Sequence, residues 1–493
     1  MMEEKREWRH KPGDRIHRLV RIRPFHLKRV LGVPALFSAG YGDVGSSIYY
    51  ALGIVAIVAL GATPIALGIA GIIYVLNALT YAEGGAAIPE AGGSASFARH
   101  GINHTVGFVA GWALMLSYIV TMAISAYTIP PYLAYFWPVL NDPAVDTIAA
   151  IGIITFLLLI NVLGVRESSR LNIFFIVVDI ATQITLVIMG IVLILAVEPQ
   201  VLKEHMFGAE NWPTTSNLVY GIAIAALCFT GVETVSQLAE ETKRPAQRIP
   251  RAYVMMIIAV LVLFAGISIV ALGAMTPEVL GDPVNGWARD PVAGIAAHLP
   301  MEVLRDIFAP LVAVLAASIL LTATNAGLLG ISRLAFNLSS HQQLPAVFGR
   351  VHHRFKTPYV SIIFFCMLSI ALLLPGFANS RFFEELGALY VFGSLLCFAL
   401  AHASILALRI KKPDLERPFK IRGNLKIRGK ELPVVSIIGL IATLSIWLVV
   451  IYLQPFSRWA GIVWMVVGIT VYYLYQRRRK KRAEIESKSI YKI

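Results

Sequence analysis

Apolar runs of about twenty residues recur twelve times along this chain, and that recurrence leaves little choice of fold. A backbone crossing hydrocarbon must satisfy its own hydrogen bonds, so runs of this length become helices. They fall at about 33–60, 64–86, 105–128, 147–163, 170–196, 217–240, 252–275, 304–336, 358–376, 382–409, 433–452 and 457–475. A 57% hydrophobic composition and a mean hydropathy of +0.70 leave no room for a sizeable soluble domain. The expected fold class is an all-α polytopic membrane protein with about twelve transmembrane helices.

Charge then orients the helices. The net charge of +14 would suit nucleic acid in a soluble chain, but here it gathers in short loops and tails. If both ends face the cytoplasm, the outer connections and their margins hold only Lys203, Arg289, Arg305, Arg381 and Arg458 of the 43 basic residues. Most of the others gather in the N-terminal tail and around 243–251, 333–356, 409–430 and 476–482. Such asymmetry is the positive-inside pattern. It predicts a multi-pass protein of the cytoplasmic membrane with both termini cytoplasmic, and no nucleic-acid partner. The run Arg477-Arg478-Arg479-Lys480-Lys481-Arg482 reads as a topology anchor in contact with anionic lipid. The first 30 residues are too long and polar for a cleavable signal. Cys228, Cys366 and Cys397 all lie in apolar runs, so neither a disulfide framework nor a metal cluster is expected.

Two spans carry residues that a plain helix would avoid. Span one holds Gly40-Tyr41-Gly42-Asp43-Val44-Gly45-Ser46-Ser47, and span six holds Cys228-Phe229-Thr230-Gly231-Val232-Glu233. Each glycine weakens a helix by about 1 kcal/mol relative to alanine. An acid at mid-span costs roughly 2.5–3.5 kcal/mol on insertion scales. Irregular backbone at membrane depth has to line a cavity or lie buried in protein. Small residues for close helix packing are the alternative, but Asp43 among them favours a binding site. Paired interruptions in spans one and six point to a 5+5 inverted repeat with its site at the midplane. The expected organisation is a basic tail (1–32), a first five-helix repeat (33–196), a second (217–409), helices eleven and twelve (433–475) and a basic cytoplasmic tail (476–493).

Phe229-Thr230-Gly231-Val232-Glu233, with Ala239-Glu240-Glu241, Arg244-Pro245 and Arg248-Ile249-Pro250-Arg251, resembles the sixth-helix signature of amino acid permeases. These belong to the amino acid–polyamine–organocation (APC) superfamily. Tyr81-Ala82-Glu83 with Pro89-Glu90-Ala91-Gly92-Gly93-Ser94 is similar to that family's segment after helix two. Ser332-Arg333, Leu344-Pro345 and Thr357-Pro358 resemble its eighth-helix exit and following loop. The resemblance implies a leucine-transporter-type fold, with substrate held between broken helices 1 and 6. Family members usually carry a Gly-Ser-Gly-Ile-Phe-like motif in helix one, where this chain has Gly45-Ser46-Ser47-Ile48-Tyr49. Tyr41-Gly42-Asp43-Val44-Gly45-Ser46-Ser47 is more similar to the potassium-uptake permeases of the same superfamily. Helix three lacks the acid that branch tends to place there, and its large soluble C-terminal region is missing.

The expected function is a secondary active permease for an amino acid or related amine. A cationic substrate is favoured by Asp43, and proton coupling by the buried acids. Potassium uptake by cation:proton symport is the alternative, and a transport-dead nutrient sensor would look the same in sequence. Gly42, Asp43, Gly45, Ser46, Ser47, Phe229, Thr230, Gly231 and Tyr118 are the candidate substrate-binding residues. Helix N-terminal N–H groups near Gly45–Ser47 suit a carboxylate, and free carbonyls near 229–231 suit an ammonium or K+. Asp179, Glu233, Ser318 and Thr322 are candidates for the coupling proton or, alternatively, Na+. Asn172, Asp179 and Gln183 share one helical face, as do Ser318, Thr322 and Asn325. Glu233 reads equally as a proton carrier or as a neutral brace, and Asp179 as a site acid or a bonded structural one. Tyr390 is a second candidate wall, while His402 reads as a packed histidine. No phosphate loop, nucleophile elbow or metal-ligand pair appears, so neither an enzyme nor a cofactor is expected.

Overall fold

The computed structural model describes residues 29–164, 169–196, 199–377, 381–427 and 429–490. Most of the basic N-terminal tail lies outside the described residues. In chain order the helices begin with α1 (Val33–Val44), α2 (Ile48–Ala59), α3 (Thr63–Ala87), α4 (Ser94–Gly101), α5 (His104–Leu133), α6 (Pro143–Leu163) and α7 (Ser169–Ala196). Next come α8 (Pro199–Phe207), α9 (Thr215–Ala225), α10 (Thr234–Gln237), α11 (Pro245–Ala274), α12 (Pro277–Gly281) and α13 (Pro291–Ala297). The chain closes with α14 (Glu302–Ser340), α15 (Tyr359–Leu373), α16 (Phe382–Lys411), an antiparallel hairpin, α17 (Val434–Leu453) and α18 (Pro455–Ile490). The hairpin pairs β1 (Asn424–Ile427) with β2 (Lys430–Pro433).

Among the described residues, eleven helical segments are long and apolar enough to cross a bilayer. The first, Val33–Ala87, is 55 residues long. It turns at Leu60, whose φ of 46° lies in the left-handed region, so the expected spans one and two are joined by a tight reversal. The protein is therefore an all-α polytopic membrane protein. Helix ends follow local chemistry. Asp142 accepts from the N–H groups of Ala144 and Val145 to start α6, and Gly164 at φ 74° ends it. Asn103 caps α5 in the same way through Val106. Sequence reading missed the short helices α4, α8, α12 and α13, which lie in connections where apolar run length gives no signal.

Position in the bundle does not follow apolar composition alone. The apolar window of α5 is 94% buried, against 28% for α17 and 22% for α18. α5 packs along α14 and α16, and α3 packs along α11. The α17 window is more apolar than that of α5 and yet largely exposed within the protein, because hydrocarbon solvates apolar side chains as well as a protein interior does. α17 and α18 stand at the periphery. Bonds between distant segments bring Leu31 and Gln476 to one end of the bundle. Leu31 pairs with Thr242, Arg333 with Glu241, and Gln476 donates to Gln342 O. At that end a buried carboxylate, Glu83, takes a bidentate pair of bonds from Arg409 at 2.7 Å each. The Ile421 N–H adds a third bond at 3.0 Å. Burying an ion pair is tolerable only when its geometry is this complete. His402, fully buried, bonds Thr80 and, through Nε2, Asn77, as expected of a packed histidine.

Candidate functional site

The two interruptions meet, but they differ in kind. In the first, α1 passes into α2 through one 3₁₀ turn, Gly45–Ser47, with helical dihedrals throughout. The helix tightens here and does not open. Its hydroxyls are already engaged: Ser46 donates to Asp43 O at 2.7 Å. Ser47 Oγ lies 2.5 Å from Val44 O and 2.6 Å from Cys228 O, reaching across to the second interruption. A substrate carboxylate would have to displace these bonds. Gly45 has an ordinary φ of −65°, so its value here is space and not backbone freedom. A Cβ at Gly45 would stand 2.8 Å from the Tyr41 ring.

The second interruption leaves the helix. After α9 and a 3₁₀ turn (Ala226–Phe229), residue Thr230 is extended and Gly231 takes φ 94°. Only glycine reaches that conformation without strain. A Cβ there would also lie 2.7 Å from Asp43 Cγ, so Gly231 brings the broken backbone directly against the carboxylate. The chain re-enters a short helix, α10, at Thr234, whose hydroxyl donates to Asp43 Oδ2.

Asp43 and Glu233 are 3% and 1% exposed. Oδ1 of Asp43 and Oε2 of Glu233 have no hydrogen-bond partner among the described residues. Each acid lies within electrostatic reach of the other, and Tyr118 and Tyr390 lie within reach of both. Buried polar atoms are rarely left unpaired, and each such atom calls for an explanation. Two buried carboxyl groups, each with one oxygen unpartnered among the described residues and with two phenols in electrostatic reach, hold the chemistry that a positively charged group would use. Tyr118 is set against α14 at Gly330, where a Cβ would meet its ring at 2.7 Å. Phe229 turns elsewhere, packing between Tyr74 and Phe264 with ring centroids 5.3 and 5.4 Å away. Thr230 donates to Leu227 O.

Asp179 of α7 forms a separate cluster. Tyr41 donates to Oδ2 at 3.3 Å, Tyr49 donates to Oδ1, and Gln183 Nε2 donates to Oδ2 at 2.8 Å. Tyr41 precedes the 3₁₀ turn and Tyr49 follows it, so one carboxylate grips helix one on both sides of its pinch. Gly42 lies where Ile176 of α7 and Thr322 of α14 close on α1. The Thr322 and Ser318 hydroxyls bond backward to Ser318 O and Val314 O on their own helix. Sequence reading missed Thr234, Tyr41 and Tyr49. The tyrosines carried a signal, since 41 and 49 lie about two turns apart on helix one.

Backbone contacts join segments at both ends of helix one and its continuation. At the terminal end, the N–H groups of Val30 and Leu31 bond Glu241 O, and Lys243 N–H bonds Leu31 O. At the far end, the loop between α12 and α13 rests on α2, so a Cβ at Gly53 would overlap Ala288 O at 1.9 Å. Arg289 lies 4.9 Å over the Tyr127 ring and pairs with Asp146. Beside it, burial pushes the Asp290 carboxyl up to about 7, against the pull of Arg289.

The sequence model of the family described as "Amino acid permease" matches residues 31–473. The chain belongs to this family. It is 26% identical to the branched-chain amino acid permease BcaP of Bacillus subtilis (strain 168), over 92% of this chain and 94% of that one. The methylthioribose transporter of the same organism is 28% identical, with the same coverage of each chain. An aspartate-proton symporter, also from Bacillus subtilis (strain 168), is 25% identical over 82% of this chain and 74% of its own. The chain is thus a membrane permease of the APC superfamily and not an enzyme.

Proposed function

We propose that this permease carries an amino acid or related amine by alternating access, with the substrate's positively charged nitrogen docked on Asp43. The buried Asp43 Oδ1, unpartnered among the described residues and with two phenols in electrostatic reach, carries this reading. A charge-assisted bond from an ammonium satisfies that oxygen better than a neutral donor does. The family match supports an amino-acid-like substrate, and the relative named as a methylthioribose transporter shows how far substrate chemistry ranges among similar chains.

Coupling is assigned to protons, carried by Asp179 or Glu233. Both are buried acids in membrane-spanning segments, the usual bearers of such a relay. The relative named as an aspartate-proton symporter supports the same coupling. The proposed frame is the 5+5 inverted repeat, 33–196 and 217–409, with both termini cytoplasmic.

Uptake in proteoliposomes tests the reading. At least one amino acid or amine should show saturable, competable uptake that rises as external pH falls and needs no sodium. Rescue of a potassium-uptake-deficient bacterium that depends on Asp43, with no amino acid or amine carried, would establish the potassium alternative. Binding without uptake would identify a sensor. Sodium dependence at fixed pH would transfer coupling to a cation site formed by Asp179, Ser318 and Thr322.

A further inference from the structure

The strongest unassigned feature lies at the terminal end of α18, away from the transport site. This helix has 36 residues, about 54 Å at ~1.5 Å per residue. The hydrocarbon core is only about 30 Å thick, so the last turns of α18 cross the headgroup layer. Val471, Leu474, Tyr475, Arg478 and Arg479 stand at i, i+3, i+4, i+7 and i+8, on one helical face. With Pro345 as the opposite wall they line a pocket of about 400 Å³. Two contacts hold this wall in place. Gln476 Nε2 donates to Gln342 O at 2.7 Å, and Tyr472 stacks on Phe108 of α5 at 4.7 Å. Along the helix the lining changes from apolar to cationic, and it contains no acid. Neither Arg478 nor Arg479 forms an ion pair among the described residues.

We propose that this pocket is a binding site for one anionic phospholipid of the surrounding leaflet. The phosphodiester lies on Arg478 and Arg479, whose planar guanidinium forks match phosphate oxygens. The glycerol backbone and the start of an acyl chain lie on Val471, Leu474 and Pro345. A free phosphate would use the arginines and leave the apolar wall unused. Basic pockets beside transmembrane helices hold anionic headgroups by this combination of charge and position.

Native mass spectrometry of the full chain in detergent, titrated with phosphatidylglycerol or phosphatidylcholine, tests the site. A single high-affinity phosphatidylglycerol adduct is expected, with phosphatidylcholine at least tenfold weaker. The double variant Arg478→Gln/Arg479→Gln should weaken the adduct about 30-fold, on the order of fivefold per basic side chain near a surface. The control Lys480→Gln/Lys481→Gln removes the same charge outside the pocket and should stay within about twofold. Equal loss in both doubles would mean diffuse polybasic attraction and overturn the proposal, as would no loss in either. Competition by glycerol phosphate as effective as by phosphatidylglycerol would make this a phosphate site and not a lipid site. The readout is independent of transport, so its failure leaves the permease reading untouched.

Discussion

In helix one the chain tightens into a single 3₁₀ turn whose serine hydroxyls are all bonded to backbone carbonyls. Helix six leaves helical geometry at Thr230 and Gly231, and one carboxylate oxygen of the neighbouring Glu233 has no partner among the described residues. The same sequence cue, glycine beside an acid at mid-span, thus gives a tightened turn in one helix and a gap in the helical backbone of the other. Gly42 and Gly45 make room for side chains, Ile176 and Tyr41 respectively, whereas Gly231, unlike them, takes a left-handed φ. Each helix therefore supplies one buried acid, Asp43 or Glu233, and helix six alone breaks its backbone between them. Asp43 is the residue they share, because Gly231 and Thr234 of helix six both close on it.

The largest effect should come from that shared residue. Asp43→Asn removes the charge and keeps the shape, so a cationic substrate loses a charge-assisted bond. The expected cost is roughly 1.5–3 kcal/mol, or about 10- to 150-fold in affinity. Isothermal titration or scintillation proximity binding would measure it. Constants within twofold of wild type would take Asp43 out of the site and leave helix one with a purely structural pinch.

Asp179→Asn should act next, on coupling and not on affinity. Asp179 holds Tyr41 and Tyr49 on either side of the pinch, and an amide retains much of that bonding while losing the proton site. Counterflow exchange should persist while uphill accumulation falls to equilibration. Retained accumulation would move the proton to Glu233 and make Asp179 a brace.

How much of this was visible in the sequence depends on the range of the interaction. Helix positions and the two interruptions were legible because they rest on local composition: span three was expected at 105–128 and α5 runs His104–Leu133. By contrast α18, expected to end at 475, continues to Ile490 through polar sequence. The acids were legible because mid-span charge is rare. The partners of those acids were not. Tyr49 and Asp179 are 130 residues apart, and Thr234 and Asp43 are 191 apart. No periodicity connects positions so distant. The difference between pinch and gap was hidden too, since a glycine used for space and one used for φ look identical in sequence.

Gly45→Ala sharpens that last distinction. A methyl at Gly45 meets the Tyr41 ring at 2.8 Å and forces it aside, an overpacking that costs typically about 1–3 kcal/mol. Tyr41 would then shift from Asp179, so the accumulation ratio should fall while substrate affinity changes less than in Asp43→Asn. A loss of affinity equal to that of Asp43→Asn would show that Gly45 touches the substrate after all.

The smallest effect belongs to Ser47→Ala. Its hydroxyl lies within bonding distance of Val44 O on its own helix and of Cys228 O across the gap, so removing it costs a neutral, buried hydrogen bond. Such a bond contributes about 0.5–1.5 kcal/mol net, and the Val44 and Cys228 carbonyls would be left seeking other donors. If Ser47 only ties the two interruptions together, a thermal-shift midpoint should drop modestly while substrate affinity stays within about twofold. If the serine instead donates to a substrate carboxylate during transport, the pattern inverts: the apo midpoint stays put and the stabilisation by ligand shrinks. The bond to Cys228 O spans the two interrupted helices, so the first outcome would assign Ser47 to holding them together and the second to recognising cargo.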